Sequence, residues 1–466
     1  MPQVFDIVIG NPPYLGEKGN QEIFRKYRST SFGGKYYEGK MDLFYYFIYR
    51  ALEILKDGGL LSYITTNYFV TADGAQQLRE YLKKHTTFLH VVNFNHTSLF
   101  SSARGQHNMI FLLAKGKETD EKMFLKLFQK KYLSPPSIEK GLYEREKHGH
   151  ITHNHHLKNS NLFDRRGYIL INGSNDEQLL LEKIDGGCDR RLRELCHINQ
   201  GIVSGADRVT KNILNNKLSG ENIKQYDILV NDGIFVLQKK EVLALGLQDS
   251  AYIKPMFKNS DIQSYQVKED TEKFLLYIKD GQLDNIESEE EERIFKHLLK
   301  YKDILKLRRE VKQGLRSWYA LQWPRQQEIF EKPKIVVPHR AGENRFAYTN
   351  IPWYASADVY FITAKASHID LRHLLIQLNS KLMYFWLYYR GKRKGSDLEL
   401  YANPLKELPV CINHMEHKNI LKMVNTIIKS KGQEMRAAID AYVYRCYQLE
   451  PKEIKKIEEL YSSNRR

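Results

Sequence analysis

The sequence predicts an α/β fold over residues 1–116, a mixed α+β region over 166–411 and a helical tail over 412–466. Three observations carry this expectation. Val4–Ile9 (VFDIVI) is a nearly continuous apolar run, the pattern of a strand buried on both faces of a parallel sheet. From Met41 the apolar period switches to that of a helix in "MDLFYYFIYRALEILKDGG". Strand and helix patterns then alternate as far as Gly116, as α/β domains do.

In chain order, Leu43, Phe44, Phe47, Ile48, Ala51, Leu52 and Leu55 fall on one helical stripe, and Gly58-Gly59 supplies the stop. "LLSYIT" (Leu60–Thr65) is the second strand, "ADGAQQLREYLKKH" an amphipathic helix, "FLHVVNF" (Phe88–Phe94) the third strand and "HNMIFLLAKG" the fourth. Residues 117–165 are charged and His-rich and read as a polar linker. His148, His150, His153, His155 and His156 have no Cys, Asp or Glu at a structured ligand spacing beside them, so no metal centre is expected. Beyond Tyr168 short strands and Trp/Tyr become frequent, and residues after Ile412 read as one or two charged helices. There is no internal repeat.

At 466 residues the chain is too long for a single core, so two or three domains are expected. Lys and Arg number 72 against 56 Asp and Glu, a net charge of +16 that suits a polyanionic partner such as nucleic acid. No stretch reaches the roughly 18–20 apolar residues of a membrane span. The start of the chain does not resemble a signal peptide. The cysteines, Cys188, Cys196, Cys411 and Cys446, form no C-x-x-C pair, so a reducing cytoplasm is the expected compartment.

Asn11-Pro12-Pro13-Tyr14 directly follows the first strand. Two prolines fix φ and push the preceding Asn out of the helical region. The result is a stiff turn at the carboxyl end of a strand, where α/β domains place ligands. Such a turn suits an exocyclic amine, which can donate its two hydrogens to the Asn11 side-chain oxygen and the Pro12 carbonyl. Those bonds favour a tetrahedral nitrogen whose lone pair points at an electrophilic methyl group. Tyr14 can stack on the face of the base.

"FDIVIGNPPY" resembles motif IV of the S-adenosylmethionine-dependent amino-methyltransferases, in particular the γ-type N6-adenine DNA methyltransferases. Similar turns occur in families that methylate guanine in ribosomal RNA or glutamine in release factors. The stretch "MDLFYYFIYRALEILKDGGLLSYITTNYF" resembles motifs V and VI, which implies that Phe47 lies against the cofactor adenine, with Asp42 a second cofactor-side residue. A place for Phe47 in the core is the alternative. "SLFSSARGQHNMIFLLAKG" resembles motif VIII, which implies that Phe100 and Tyr14 sandwich an adenine flipped out of the duplex. Further on, "LRELCHINQGIVSGADRV", "YIKPMFKNSDIQSY", "WYALQWPR", "KPKIVVPHR" and the stretch from Leu374 to Val410 resemble the C-terminal specificity domain of TaqI-like methyltransferases, found also in fused Eco57I-type enzymes. The resemblance implies a partial Rossmann-like methyltransferase domain followed by an α+β target-recognition domain, with S-adenosylmethionine as cofactor and double-stranded DNA as partner. Arg390, Lys392, Arg393 and Lys394 then read as a phosphate-binding loop, and Arg316, Trp318, Arg325, His339 and Arg340 as groove contacts. For each of these singly, a solvated surface role is the alternative.

In the γ-type enzymes a Gly-rich turn and an acidic ribose-binding residue precede motif IV. Neither stands before Val4, and no strand followed by a G-x-G turn occurs downstream. The expectation is therefore a truncated frame, or a second polypeptide that carries the Gly-rich half. Either leaves the Val4–Ile9 strand as an exposed edge. Two other readings remain, a DNA-binding module without catalysis and the remnant of a fused type IIG nuclease–methyltransferase.

Overall fold

Helix α3 (Leu43–Ile54) shows how the N-terminal core forms, because its LFYYFIYRALEI sequence leaves few polar positions. It buries Phe44, Tyr45, Tyr46, Ile48, Tyr49, Ala51 and Leu52. Tyr36, at the end of the short helix α2 (Ser31–Tyr36), stacks on Tyr49 with ring centroids 3.9 Å apart. Helix α1 (Gln21–Arg28) adds Phe24 to the same cluster. The protein is known from a computed structural model that describes residues 4–95, 97–100, 106–118, 121–128, 133–143, 152–164, 166–173, 175–394, 397–412, 422, 424–428 and 435–464. It divides into two units, Met1–Lys183 with Lys392–Ser396, and Ile184–Gly391 with Asp397–Arg466.

The first unit is built on a six-stranded sheet in the order β1-β2-β4-β3-β5-β6. Its strands are β1 (Phe5–Gly10), β2 (Leu55–Thr66), β3 (Thr86–Asn93), β4 (Asn108–Lys115), β5 (Lys122–Phe128) and β6 (Thr152–Lys158). β1 and β2 are parallel, β4 is antiparallel to both β2 and β3, β3 and β5 are parallel, and β5 and β6 are antiparallel. Helix α4 (Gln76–His85) buries Leu78 and Leu82 and leads into β3.

Three expectations change. β1 is not buried on both faces: it stands at the end of the sheet with Phe5, Ile7 and Ile9 exposed to 48%, 62% and 79%. Among the described residues its outer edge pairs with no strand. The stretch 117–165, read as a linker, contributes β5 and β6 to the same sheet. β5 buries Met123, Leu125 and Leu127, a period-two pattern hidden in the sequence by the lysines beside it. His153, His155 and His156 lie in β6, whereas His148 and His150 fall outside the described residues. Finally, α3 stops before Gly58-Gly59. The Leu55 N–H still caps onto the Ala51 carbonyl, but the Leu55 side chain is fully buried as the first position of β2. Gly58, at φ +75°, accommodates the irregular start of that strand.

The second unit contains two four-stranded sheets. One runs Tyr354–Ala355, Ile253–Phe257, Lys273–Leu276, Val236–Gln238; the other runs Ala347–Thr349, Lys334–Pro338, Val359–Ala364, Cys196–Gln200. Their shared core includes Trp353 stacked on Phe257 at 4.8 Å. Helices α5 (Leu371–Leu378) and α6 (Lys381–Arg390) are buried around most of their circumference. Helices α7 (Arg436–Cys446) and α8 (Pro451–Ser463) are not a separate tail but part of this unit. Lys381 pairs with Glu458, and Tyr384 meets Tyr461 edge-on at 5.2 Å. No helix among the described residues is long and apolar enough to cross a membrane.

Candidate active site

The carboxyl ends of β1, β2 and β3 share one edge of the sheet, since β1 and β2 are parallel and both β2 and β3 oppose β4. The Asn11-Pro12-Pro13-Tyr14 turn leaves β1 at this edge. Pro12 is buried and Asn11 is exposed, so the turn is anchored at its middle and presents its carboxamide outward. The Tyr14 ring meets Phe44 edge-on at 6.3 Å. Its hydroxyl lies 2.7 Å from Asn11 Oδ1 and 2.9 Å from the Ile64 carbonyl. With one proton the phenol donates to one of these acceptors at a time. Burial raises its pKa, so the hydroxyl stays a donor.

Asp42 is occupied by the protein's own backbone. Leu15 donates its N–H to Asp42 Oδ1 at 2.9 Å, and Leu43 donates to the Leu15 carbonyl at 2.9 Å. Burial raises the carboxyl pKa, opposed by the N–H groups of Leu15, Phe44 and Leu43. Asp42 thus ties the segment after Tyr14 to the N-terminus of α3. Phe47, by contrast, is 39% exposed on a helix otherwise buried on that stretch, which removes the core alternative. Its backbone carbonyl accepts from the Tyr63 hydroxyl at 3.4 Å, and Tyr63 is the strand partner of Gly10, so Tyr63 links Phe47 to the end of β1 from which the Asn11–Tyr14 turn leaves.

Phe100 is half-buried and makes no ring contact with Tyr14 among the described residues; residues 101–105, in the same stretch, lie outside them. The sequence reading missed the polar groups along this edge. Asn67 donates to Asn93 Oδ1 at 3.1 Å, and Asn93 donates to Asn172 at 2.9 Å. His107 is buried, and that burial, with Arg393 nearby, lowers its pKa to about 4. Thr65 Oγ1, Thr66 Oγ1, Gln106 Oε1 and Asn108 Nδ2 are buried without a hydrogen-bond partner among the described residues. Orphaned polar atoms at strand ends mark a place where another molecule supplies partners. Their only sequence signal is polar residues closing apolar strands, in "ITTN" and "QHN".

The cations expected to face DNA divide. Arg390 is buried and faces Asp185 at 3.7 Å, so it is not part of a solvent-facing loop. The rest of that loop is the short strand Lys392–Lys394 of the first unit. Lys392 pairs with Asp73 at 3.2 Å, Arg393 donates to Asn95 at 3.2 Å, and Lys394 is exposed. In the second unit Arg340 pairs with Glu399 at 3.1 Å, His339 stacks on Tyr401, and Arg325 donates to the Gly201 carbonyl. Trp318 packs partly buried against Phe295 and the core. Arg316 instead lies 5.3 Å over the ring of Trp323, which is 38% exposed. Of the two tryptophans in "WYALQWPR", the second is therefore the accessible one.

The groups that would hold S-adenosylmethionine are present only in part. Phe47 offers an apolar wall at the right edge, but Asp42 is spent on the backbone and no Gly-rich turn follows any described strand. No cluster of His, Cys, Asp or Glu among the described residues could hold a metal ion.

Residues 2–100 match the family model of the Eco57I restriction-modification methylase, and residues 215–410 match that of the TaqI-like C-terminal specificity domain. The chain is 24% identical over 432 residues to the Type II methyltransferase M.HindII of Haemophilus influenzae, covering 87% of this chain and 74% of that protein. It is 22% identical over 477 residues to the Type II methyltransferase M.BstVI of Geobacillus stearothermophilus, covering 98% and 75%. The structure of the Type IIL restriction-modification enzyme MmeI in complex with DNA has a similar fold, with a TM-score of 0.58 at 13% identity over 98% of this chain. The chain spans 57% of that structure's length. It joins an Eco57I-like restriction-modification methylase segment to a TaqI-like C-terminal specificity domain.

Proposed function

We propose that this chain is the catalytic-turn and target-recognition part of a DNA adenine-N6 methyltransferase of a restriction–modification system. The observation that carries the reading is the Asn11 carboxamide, presented by a proline-anchored turn at the carboxyl edge of the sheet, to which Tyr63 links exposed Phe47. Asn11 Oδ1 and the Pro12 carbonyl each accept one hydrogen of the target amine, which holds its lone pair outward for attack. S-adenosylmethionine, when bound, supplies the electrophilic methyl group. As the N–C bond forms the S–CH3 bond would break and the thioether leave, and the methylated amine, acidic once it carries positive charge, would pass one proton to solvent water, so no strong base is needed at the turn. Before this, Tyr14 must release Asn11 Oδ1 to the incoming amine, and its hydroxyl then rests on the Ile64 carbonyl. Tyr14 and Phe100 stack on the two faces of the flipped base. Arg316 with Trp323, and Lys394, are the accessible groups for DNA, and the net charge of +16 draws the duplex in.

The remaining cofactor contacts come from a Gly-rich segment outside these 466 residues, whose strand pairs with the outer edge of β1. The support is the outer edge of β1, unpaired among the described residues, with Phe5, Ile7 and Ile9 exposed along one face of the same strand. The partial cofactor site also favours one other reading, a DNA-binding module without catalysis. Methyl transfer from labelled S-adenosylmethionine to unmethylated genomic DNA by the purified chain separates these. Label on adenine N6 that vanishes in Asn11→Ala supports the chemistry and removes the need for that further segment. Salt-sensitive DNA binding with no transfer supports a recognition part that needs a partner or has no catalysis. Label on cytosine would overturn the proposal.

A further inference from the structure

The second unit contains a cavity of about 440 Å³ that the reading above does not use. Helix α7 lines one side with Arg436 and Asp440, and Tyr265, Glu343, Lys381 and Tyr461 line the rest. Three of its polar groups bear on what it could hold. Tyr265 is 3% exposed and lines the cavity, and its hydroxyl makes no side-chain hydrogen bond among the described residues. This ring is held there by a backbone φ of +76°, a conformation that a non-glycine residue rarely adopts. Among the described residues Arg436 has no carboxylate within ion-pair distance, although Asp440 lies one turn along the same helix. Asp440 is instead engaged by Lys381, which donates its backbone N–H to Oδ1 at 2.9 Å and holds its ammonium 3.7 Å from Oδ2. Lys381 is in turn shared with Glu458. Asp440 Oδ2 therefore keeps an open acceptor position in a buried setting, where Asp440 is 5% exposed.

The open groups are thus a guanidinium and a phenol O–H, both donors, and one carboxylate oxygen, an acceptor. Residues four apart on a helix have Cβ atoms about 5–6 Å apart. That spacing places a cation and an anion to either side of a group that itself carries both charges at short separation. We propose that this cavity binds a small zwitterion of the α-amino-acid type, its carboxylate on Arg436 and the Tyr265 hydroxyl and its ammonium on Asp440. An anion alone would leave the open acceptor position of Asp440 unused, and a cation alone would leave Arg436 without a carboxylate. The rest of the volume, bordered by Tyr461 and Asn379, has room for a side chain.

Titration calorimetry on the full chain tests this with L-methionine, L-glutamine and L-arginine as zwitterions, and acetate, inorganic phosphate and methylamine as single charges. The expected result is saturable binding of at least one amino acid, about tenfold tighter than either acetate or methylamine. Arg436→Gln, a half-exposed position that the fold does not need, weakens it about tenfold. Tyr265→Phe does the same while leaving the unfolding midpoint in place, since the hydroxyl it removes makes no side-chain hydrogen bond among the described residues. Three outcomes each overturn the proposal: no saturable amino-acid binding, phosphate or acetate binding as tightly as the amino acid, or binding that Arg436→Gln leaves unchanged.

Discussion

Arg390 separates two physical accounts of one basic sequence, and its substitution distinguishes them by number. "YYRGKRKG" reads as a phosphate-binding loop, yet the Arg390 side chain is only 4% exposed and faces Asp185. Removing one member of a buried ion pair costs about 3–5 kcal/mol. Asp185 would keep two partners, Arg191 Nη1 and Trp386 Nε1, each at 2.8 Å. The cost of Arg390→Ala is therefore set at the low end, about 3 kcal/mol, part of it the lost packing of the side-chain stem. With a urea slope of about 3 kcal/mol/M, this moves the unfolding midpoint down by about 1 M. A phosphate contact would behave differently. Its loss would reduce the slope of log affinity against log salt by about 0.9 and leave stability near its starting value. The assays are urea unfolding and salt-dependent binding to a non-specific duplex, with Lys394→Ala as the exposed comparison. A salt slope lower by about 0.9 with an unchanged midpoint would refute the structural assignment of Arg390.

Other expectations follow from the same geometry. His107, with its pKa lowered to about 4 by burial and by Arg393, must fold as the neutral imidazole. The folded state then binds fewer protons than the unfolded chain between about pH 6.5 and 4. Stability is complete above about pH 6.5 and falls by about 3 kcal/mol as the pH drops toward 4, and His107→Gln flattens this part of a pH–urea profile. Ile9→Lys on the exposed edge changes stability by no more than about 0.5 kcal/mol and reduces self-association in sedimentation, whereas Leu61→Ala on the buried neighbouring strand costs about 3 kcal/mol. Loss of the fold in Ile9→Lys would show that β1 is covered. Tyr14→Phe keeps the ring and frees Asn11 Oδ1, so methyl transfer stays within a few-fold; Tyr14→Ala loses about 10- to 100-fold with the stacking. A loss in Tyr14→Phe as large as in Tyr14→Ala would assign the hydroxyl a direct role.

What the sequence showed depended on whether a local pattern decided the structure. α3 and α4 are helices and β4 is a strand where their apolar periods put them, because each packs its apolar residues into one core. The Asn11–Tyr14 turn was legible because two prolines dictate the backbone at Pro12 and Pro13 whatever surrounds them. β5 and β6 were not, since lysines and histidines along the strands gave them a polar composition, and only the pairing of β5 with β3 and of β6 with β5 makes them strands. Arg390 was misplaced for the same reason: composition shows a run of cations, while the acidic partner, Asp185, is far away in sequence. The role of Asp42 was equally hidden, because its partner is the Leu15 backbone and carries no side-chain signal. The orphaned Thr65, Thr66 and Asn108 atoms appear only when the strand ends are brought together.

The most direct test of the central claim uses the tagged chain isolated, with whatever polypeptides remain bound, from the cells that make it. The complex is given labelled S-adenosylmethionine and unmethylated DNA, and the labelled nucleosides are identified by mass spectrometry. The account predicts label in N6-methyladenine from the wild-type chain and its loss in Asn11→Ala, with the same polypeptides bound. Label in a cytosine product, label undiminished by Asn11→Ala, or none from the intact complex would contradict it.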